Sequence, residues 1–459
     1  MDKAITNSDT IAAIATPLGE GGIACVRISG KDALDIADRV FISKSKKKLS
    51  AQKGYTALFG HIYDRNELLD EAVALVFKAP KSYTGEDTAE LSVHGGVYLI
   101  KRVLRAVVAA GARIALPGEF TKRAFENGKI SLSQAESVMN IISAQNEQAL
   151  HFAAQNKSGA LSVKIKEITD SLLFLASQIS VFSDFPEDET LCISEADFLT
   201  TLKKTEPQLD SLLKTYDCGK LVTGGINTVI AGSPNAGKST LMNLLSKTNR
   251  SIVTPIAGTT RDIIEETVSV GDYTLRLADT AGIRSTDNEV EKIGVTAALE
   301  RIKNADLCLA VFDISKPPTA QDKKLIETVK DMPVILVLNK NDLSAADMGF
   351  YEKTGLEFVK ISAKTGSGES DLVKKIAEVL HLSDLDPNSA VLSNERQYSK
   401  VLCAKNSVCE AIKAITDGVT LDAAGILIDD ALSALLELEG KKITTEVANE
   451  VFKNFCVGK

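Results

Sequence analysis

Apolar positions along the chain change their spacing three times. Over residues 1–120, short β-type runs such as Ile23–Ile28 and Ala72–Phe77 sit between Gly-bearing turns. Within that stretch Val97–Ala110 puts Val97, Ile100, Val103, Leu104 and Val107 at helical spacing. From 121 to 223 the strand signals stop and helical periodicity takes over. Ser133-Gln-Ala-Glu136 has the form of a capping box, and Val138, Ile141, Ile142 and Ala149 follow along one face. An acidic, Pro-bearing turn at 184–189 interrupts these helices. Residues 224–383 return to strand and helix in alternation. Thr228–Gly232, Leu307–Asp313, Val334–Leu338 and Phe358–Ile361 read as buried strands, and 264–270 with 273–279 as a hairpin around Gly271-Asp272. From 384 to 459 the pattern is helical again. Leu421, Ala424, Ile428, Leu432 and Leu435 form a stripe ending at Gly440, and Val447, Val451, Phe452 and Phe455 mark a last short helix. Neither helical piece buries its stripe alone, so the pattern predicts one all-α domain with the α/β module inserted into it. Insertion is easy because a module's ends usually lie close together.

The length, 459 residues, agrees with about three domains. With 44% apolar and 25% charged residues the chain has the material for packed cores. Lys plus Arg is 53 and Asp plus Glu 61, so the net charge of −8 excludes a protein that coats nucleic acid by bulk charge. A local basic patch remains open: Lys44, Lys46, Lys47 and Lys48 cluster in the first 120 residues, and they read first as a solvated loop and second as an RNA contact. No run reaches the ~18 apolar residues of a membrane helix, and Met1-Asp2-Lys3 does not open a signal peptide. Seven scattered cysteines without CxxC spacing suggest reduced thiols and a cytoplasmic location, and four separated histidines give no zinc pattern.

The chemistry is concentrated in 224–383. Gly232-Ser-Pro-Asn-Ala-Gly237-Lys238-Ser239 fits GxxxxGK[ST] after a strand and before a helix. Glycines let the backbone N–H groups cradle phosphate, Lys238 supplies a cation, and Ser239 can ligate magnesium. Gly258-Thr259-Thr260-Arg261-Asp262 follows, with Thr260 placed for magnesium, then Asp279-Thr280-Ala281-Gly282, Asn339-Lys340-Asn341-Asp342 and Ser362-Ala363-Lys364. A carboxylate at Asp342 pairs with the two adjacent donors on guanine's edge, which adenine lacks. Five such motifs in order, each at a strand end, resemble the Ras-like GTPase family. Ile283 occupies the position where Ras carries its water-orienting Gln, so another polar group must serve. Asp287, Glu289 and Glu291 are the candidates in the loop that follows. Arg261, Arg284 or a bound monovalent cation can relieve charge, and Asn235 offers such an ion a neutral oxygen.

Motifs beyond this module resemble the MnmE (TrmE) family of tRNA wobble-uridine modification GTPases over essentially the whole length. They include Asp9-Thr-Ile-Ala-Ala-Ile-Ala-Thr-Pro17, Tyr83-Thr-Gly-Glu-Asp-Thr-Ala-Glu90, His94-Gly-Gly, Pro117-Gly-Glu-Phe-Thr-Lys-Arg-Ala-Phe125 and Phe455-Cys-Val-Gly-Lys459. The resemblance implies a fold of three parts: an amino-terminal α+β folate-binding-like domain (1–120), an all-α helical domain (121–223 and 384–459) and an inserted Ras-like P-loop GTPase domain (224–383). It implies a GTP site made of Asn235, Ala236, Gly237, Lys238, Ser239, Thr240, Thr254, Pro255, Ile256, Ala257, Gly258, Thr259, Thr260, Asp279, Thr280, Ala281, Gly282, Asn339, Lys340, Asp342, Ser362, Ala363 and Lys364. Magnesium falls to Ser239 and Thr260, and potassium to Asn235, Thr254, Ile256 and Thr259. The resemblance selects Glu291 as the water-activating carboxylate and Cys456 as a thiol needed for modification. It places 5-formyl- or 5,10-methylene-tetrahydrofolate against Arg27, Glu90, Lys129 and Lys459. It also implies a homodimer, the flavoprotein partner MnmG (GidA) and tRNA, with no membrane. Glu20 and Val457 depart mildly from the family pattern. Two other readings are a ribosome-assembly GTPase switch without folate chemistry and a folate enzyme whose GTPase part is only structural.

Overall fold

The computed structural model describes residues 9–184, 194–248, 266–278, 304–382, 389–453 and 455–458. The chain divides into two compact units, Met1–Met139 with Leu436–Lys459, and Asn140–Leu435.

The first unit is built on a seven-stranded sheet: β1 (Ile11–Ile14), β2 (Gly21–Ser29), β3 (Phe41–Ser43), β4 (Thr56–Asp64), β5 (Glu67–Phe77), β6 (Thr88–Gly95) and β7 (Arg113–Ile114), in the order β3-β4-β5-β6-β2-β1-β7. Every pairing is antiparallel except β1 with β7. Side chains alternate across a strand, so one set faces a helical layer and the other does not. Val26, Ile28, Ala74, Val76 and Leu91 form one core with Ile36 and Ala37 of the helix Ala33–Val40 and with Ile100 and Val103 of the helix Val97–Ala109. The intervening residues turn to the other face, where Arg27 stands opposite Glu90 and Cys25 opposite Ser92. A smaller core joins Leu132 and Ala135 to Phe452 and Phe455, with the helix Thr445–Lys453 packed beside the helix Glu119–Glu126.

The second unit holds a six-stranded sheet: β8 (Ile226–Gly232), β9 (Glu266–Val270), β10 (Tyr273–Ala278), β11 (Leu307–Asp313), β12 (Val334–Asn339) and β13 (Phe358–Ile361), ordered β13-β12-β11-β8-β10-β9. Only β9 runs antiparallel to its neighbour. The uninterrupted apolar runs of β11 and β12 are what a parallel strand covered on both faces needs. Leu309, Val311, Ile335 and Val337 enter one core with Leu241, Leu245, Leu372 and Ile376, while Ala310, Phe312, Leu336 and Leu338 enter another with Ile326 and Val329. The helix Glu195–Gly224 leads into β8, and Glu395–Thr416 follows the sheet. These two helices lie side by side, with Tyr216 and Tyr398 stacked at 4.5 Å and Lys405 on Asp210 at 2.6 Å.

Two local expectations are corrected. The capping box belongs to Ser131 and Gln134. The Ser131 N–H donates to Gln134 Oε1 at 2.9 Å, and Ser131 Oγ accepts from the Gln134 N–H at 3.2 Å. Ser133 instead lies within the helix Leu132–Ser143, buried, and donates to Glu439 Oε1 at 2.7 Å. Leu132, fully buried, requires the earlier start. The single stripe from Val138 to Ala149 is divided between Leu132–Ser143 and Glu147–Ser158, and Ile142 is exposed. Asn146 caps the second helix at Ala149 N, and its amide also donates to Val222 O and Thr274 Oγ1.

Candidate functional site

β8 ends where the chain must pass close to β11. A Cβ on Gly232 would stand 2.4 Å from Val311 O. Asn235 then adopts a left-handed φ of 62° and Gly237 one of 101° before the helix Lys238–Thr248, whose N-terminus is the kind that receives an anion. Gly237 is required twice over, because a Cβ there would lie 2.1 Å from Asn339 Nδ2. Ala236 is buried, whereas Asn235, Ser239 and Thr240 are exposed at the loop's surface. Lys238 Nζ donates to the carbonyls of Gly232 and Ser233 at 2.9 and 3.0 Å, and burial lowers its pKa.

Asn339, almost fully buried at the end of β12, ties three motifs together. Its Nδ2 donates to Ala236 O at 2.9 Å, and its Oδ1 accepts from the Ala363 N–H at 3.0 Å. Asp342 accepts from Ser362 Oγ at 2.7 Å, and that bond holds its carboxyl below the usual range, so the group is ionised at neutral pH. Lys340, at a left-handed φ of 67°, donates to Asp313 Oδ2 at 2.5 Å. Ala363 lies beside these motifs, and Lys364 adds a positive charge that further lowers the Asp342 carboxyl.

Two residues that the motifs did not flag hold this site. Asp313 closes β11 opposite Asn339, accepts from Ser315 Oγ at 2.6 Å and anchors Lys340. Asp322 accepts from Ser233 Oγ at 2.5 Å while forming a capping box with Thr319, so it fixes the phosphate loop to the helix Ala320–Val329. The Thr319-x-x-Asp322 spacing was the available signal. Thr254, Pro255, Ile256, Ala257, Gly258, Thr259, Thr260, Asp279, Thr280, Ala281, Gly282, Glu291 and Lys459 lie outside the described residues.

A second cluster occupies the first unit. Arg27 Nε donates to Glu90 Oε1 at 2.8 Å, and Arg27 Nη1 to the Gly458 carbonyl at 3.1 Å. The guanidinium lies 5.7 Å from the rings of both Tyr83 and Phe120. Tyr83 in turn is fixed by its hydroxyl on Thr121 Oγ1 at 2.8 Å. Lys129 stands apart from the ion pair: its Nζ donates to Pro80 O at 2.9 Å, on the loop that carries Tyr83. Cys456 is exposed, and its carbonyl accepts from the Gly118 N–H at 3.3 Å. Cys25, near Arg27 in the sheet, is kept as the thiol, since burial pushes it up to about 11.

The motif residues around this cluster form a buried ionic frame. Arg123, 4% exposed, donates to Glu86 at 3.1 Å, to Glu119 at 3.2 Å and to the Asp9 carbonyl at 2.7 Å. Arg113 adds a 2.6 Å pair to Glu119. Ser29 Oγ donates to Glu86 at 2.8 Å, so the 83–90 loop is bound to β2 and to the helix Glu119–Glu126.

A phosphate loop and the Asp342 carboxylate at the carboxyl ends of a mainly parallel sheet are the arrangement of a P-loop GTP hydrolase. Residues 10–129 match the model of the GTP-binding protein TrmE N-terminus, and residues 132–456 match that of the MnmE helical domain. A tRNA modification GTPase MnmE of Lachnoclostridium phytofermentans is 41% identical over 98% of this chain and 100% of its own. Its namesake in Lactobacillus helveticus is 39% identical over 100% of both chains, and that of Carboxydothermus hydrogenoformans 40% over 98% and 99%. The chain belongs to the MnmE (TrmE) family of tRNA modification GTPases. Among the described residues no helix is long and apolar enough to cross a membrane.

The position of Cys456 gives a prediction. Gly118 has φ 67°, and a Cβ there would lie 2.7 Å from Phe452 O and 2.8 Å from Phe455 Cβ. Gly118→Ala should therefore displace the Cys456 segment, abolishing tRNA modification while leaving GTP turnover at the wild-type rate. Nucleoside analysis together with a phosphate-release assay checks this, and intact modification contradicts it.

Proposed function

We propose that this chain is a potassium-activated GTPase. With a one-carbon tetrahydrofolate and the flavin-dependent partner MnmG (GidA), it installs a carboxymethylaminomethyl or aminomethyl group at carbon 5 of the tRNA wobble uridine. The observation that carries the reading is that Arg27 holds both Glu90 and the Gly458 carbonyl, so two of the four folate candidates stand beside the segment that bears the thiol. Those residues fit the cofactor's chemistry. Among the described residues only Oε1 of Glu90 is engaged, which leaves its other oxygen for donors of a pterin ring. Arg27, Lys129 and Lys459 supply cations for glutamate carboxylates. When bound, the folate supplies the one-carbon unit, and Cys456 supplies a thiol beside it.

In the GTPase domain (224–383), Ser239 and Thr260 take magnesium. Asn235, Thr254, Ile256 and Thr259 take potassium, and Glu291 orients the attacking water. The exposed, left-handed position of Asn235 supports a role for it outside the phosphate cradle. The amino-terminal domain (1–120) carries dimerisation, and the helical domain (121–223 with 384–459) passes the nucleotide-driven movement on. The sheet face of the first unit that bears Ile42, Phe59 and Val73 exposed supports a homodimer. The location is cytoplasmic. Glu291→Ala should leave GTP affinity near wild type and lower hydrolysis by roughly 10²–10⁴-fold. Wild-type hydrolysis should be fast in potassium and slow in sodium. Equal slow rates in both salts would contradict the ion-assisted mechanism, and lost affinity with an unchanged chemical step would contradict the role of Glu291.

A further inference from the structure

The loop after β3 presents four lysines in five positions of a chain whose net charge is −8. Its shape is built. The Asp38 carboxylate accepts from the N–H of Leu49 at 2.5 Å, from the N–H of Ser50 at 3.1 Å and from Ser50 Oγ at 2.6 Å, and Leu49 is fully buried. Lys44 is engaged, on Glu71 at 3.1 Å and over the Phe59 ring at 4.4 Å. Lys46, Lys47 and Lys48 are exposed, and among the described residues no carboxylate pairs with them.

The basic surface continues from this loop toward the Arg27 cluster. Lys78 Nζ donates to the Ser50 carbonyl at 3.2 Å, with Asp87 a looser partner at 3.6 Å. The chain then turns, Lys81 N–H to Lys78 O at 2.9 Å, and exposes Lys81. Lys129 reaches Pro80 O at the end of that turn, and Tyr83 on the same loop lies against Arg27. Tyr55 stands beside the track, 70% exposed, its ring edge-on to Phe77 at 5.8 Å. Cations in series with one exposed ring are what a flexible RNA strand requires, since phosphates seek charge and an unstacked base seeks a π-face.

We propose that the lysines at 46–48 and the track through Lys81 to Lys129 are a tRNA-docking surface that leads the substrate toward Cys456. This rests on the tRNA-modification reading and assigns to this chain a part of the RNA grip that its acidic total would otherwise leave to a partner.

The test is binding of unmodified tRNA to the full-length chain between about 50 and 200 mM salt. K46A/K47A/K48A should weaken binding roughly tenfold or more and make the log–log salt slope shallower by about 2, while K46R/K47R/K48R should bind as wild type does. GTP hydrolysis and melting temperature should not change in either variant. Unchanged affinity and slope in the alanine variant would overturn the proposal. So would a wild-type chain that binds no tRNA, or lysines that govern binding to anionic phospholipid vesicles but not to tRNA. Wobble-nucleoside analysis of cells carrying the wild-type chain separates the two claims. Modification present alongside unaltered tRNA binding by the alanine variant defeats only the lysine track. Absence of modification defeats the underlying reading.

Discussion

Asp342→Asn weakens GTP binding by roughly 10²-fold or more and erases most of the preference over ATP. The carboxylate is already ionised and oriented, because Ser362 Oγ donates to it from the loop that Asn339 fastens to the phosphate loop. An amide keeps an oxygen for Ser362 but turns a nitrogen donor toward donors on the base. Folding should be little affected, since the substitution is isosteric and Asp342 is exposed. Titration calorimetry with GTP and ATP measures the effect directly. An unchanged ratio of the two affinities would mean that base selection lies elsewhere.

Arg123→Met should be the most damaging change in the first unit. Arg123 and Glu119 are 4% and 8% exposed, and removing the cation leaves Glu119 to Arg113 and the Leu116 N–H and Glu86 to the Ser29 hydroxyl. Losing one partner from a buried pair costs about 3–5 kcal/mol when the charge left behind has no other donor, and with these donors kept the cost is about 2–3 kcal/mol, which lowers the unit's melting temperature by roughly 5–10 °C. The same frame makes stability depend on pH. Burial raises the Glu119 pKa, but the bond from Arg113, the Leu116 N–H and the charges of Arg113 and Arg123 together outweigh burial and bring it below the ordinary value. Its contribution is therefore complete above about pH 4.5 and is lost as pH falls through the lowered native value. In Arg123→Met that contribution should be smaller and its loss complete at a higher pH. Calorimetric melting of both proteins from neutral to acidic pH checks the two effects, and a melting shift under about 2 °C would contradict the frame's importance.

The GTPase sheet was legible because its strands are covered on both faces. Runs such as Leu307–Asp313 and Val334–Leu338 cannot be mistaken for amphipathic helices of that length, and among the described residues the phosphate loop and the motifs at 339–342 and 362–364 each sit at the end of a strand. The first sheet was less legible. β3 and β7 are three and two residues long, and β4 alternates exposed Phe59 with buried Gly60, so pattern alone shows only parts of it. The capping box was misplaced because two overlapping S-x-x-[QE] patterns begin at Ser131 and Ser133, and only the burial of Leu132 decides between them. At the nucleotide site the motif residues were visible, but Asp313 and Asp322 act through contacts 27 and 89 positions away in the chain. The link from Arg27 to Gly458 spans 431 positions and could be read only as a family resemblance until the backbone brought its ends together.

The most direct measurement is mass analysis of wobble uridines in tRNA from cells lacking this chain and complemented with either the wild type or Cys456→Ser. Wild-type complementation should restore the aminomethyl-type group at carbon 5. The serine variant should leave uridine unmodified even though its GTP hydrolysis is intact. Full modification in the deletion strain, or full restoration by the serine variant, would contradict the assignment of this thiol and its Arg27 cluster to tRNA chemistry.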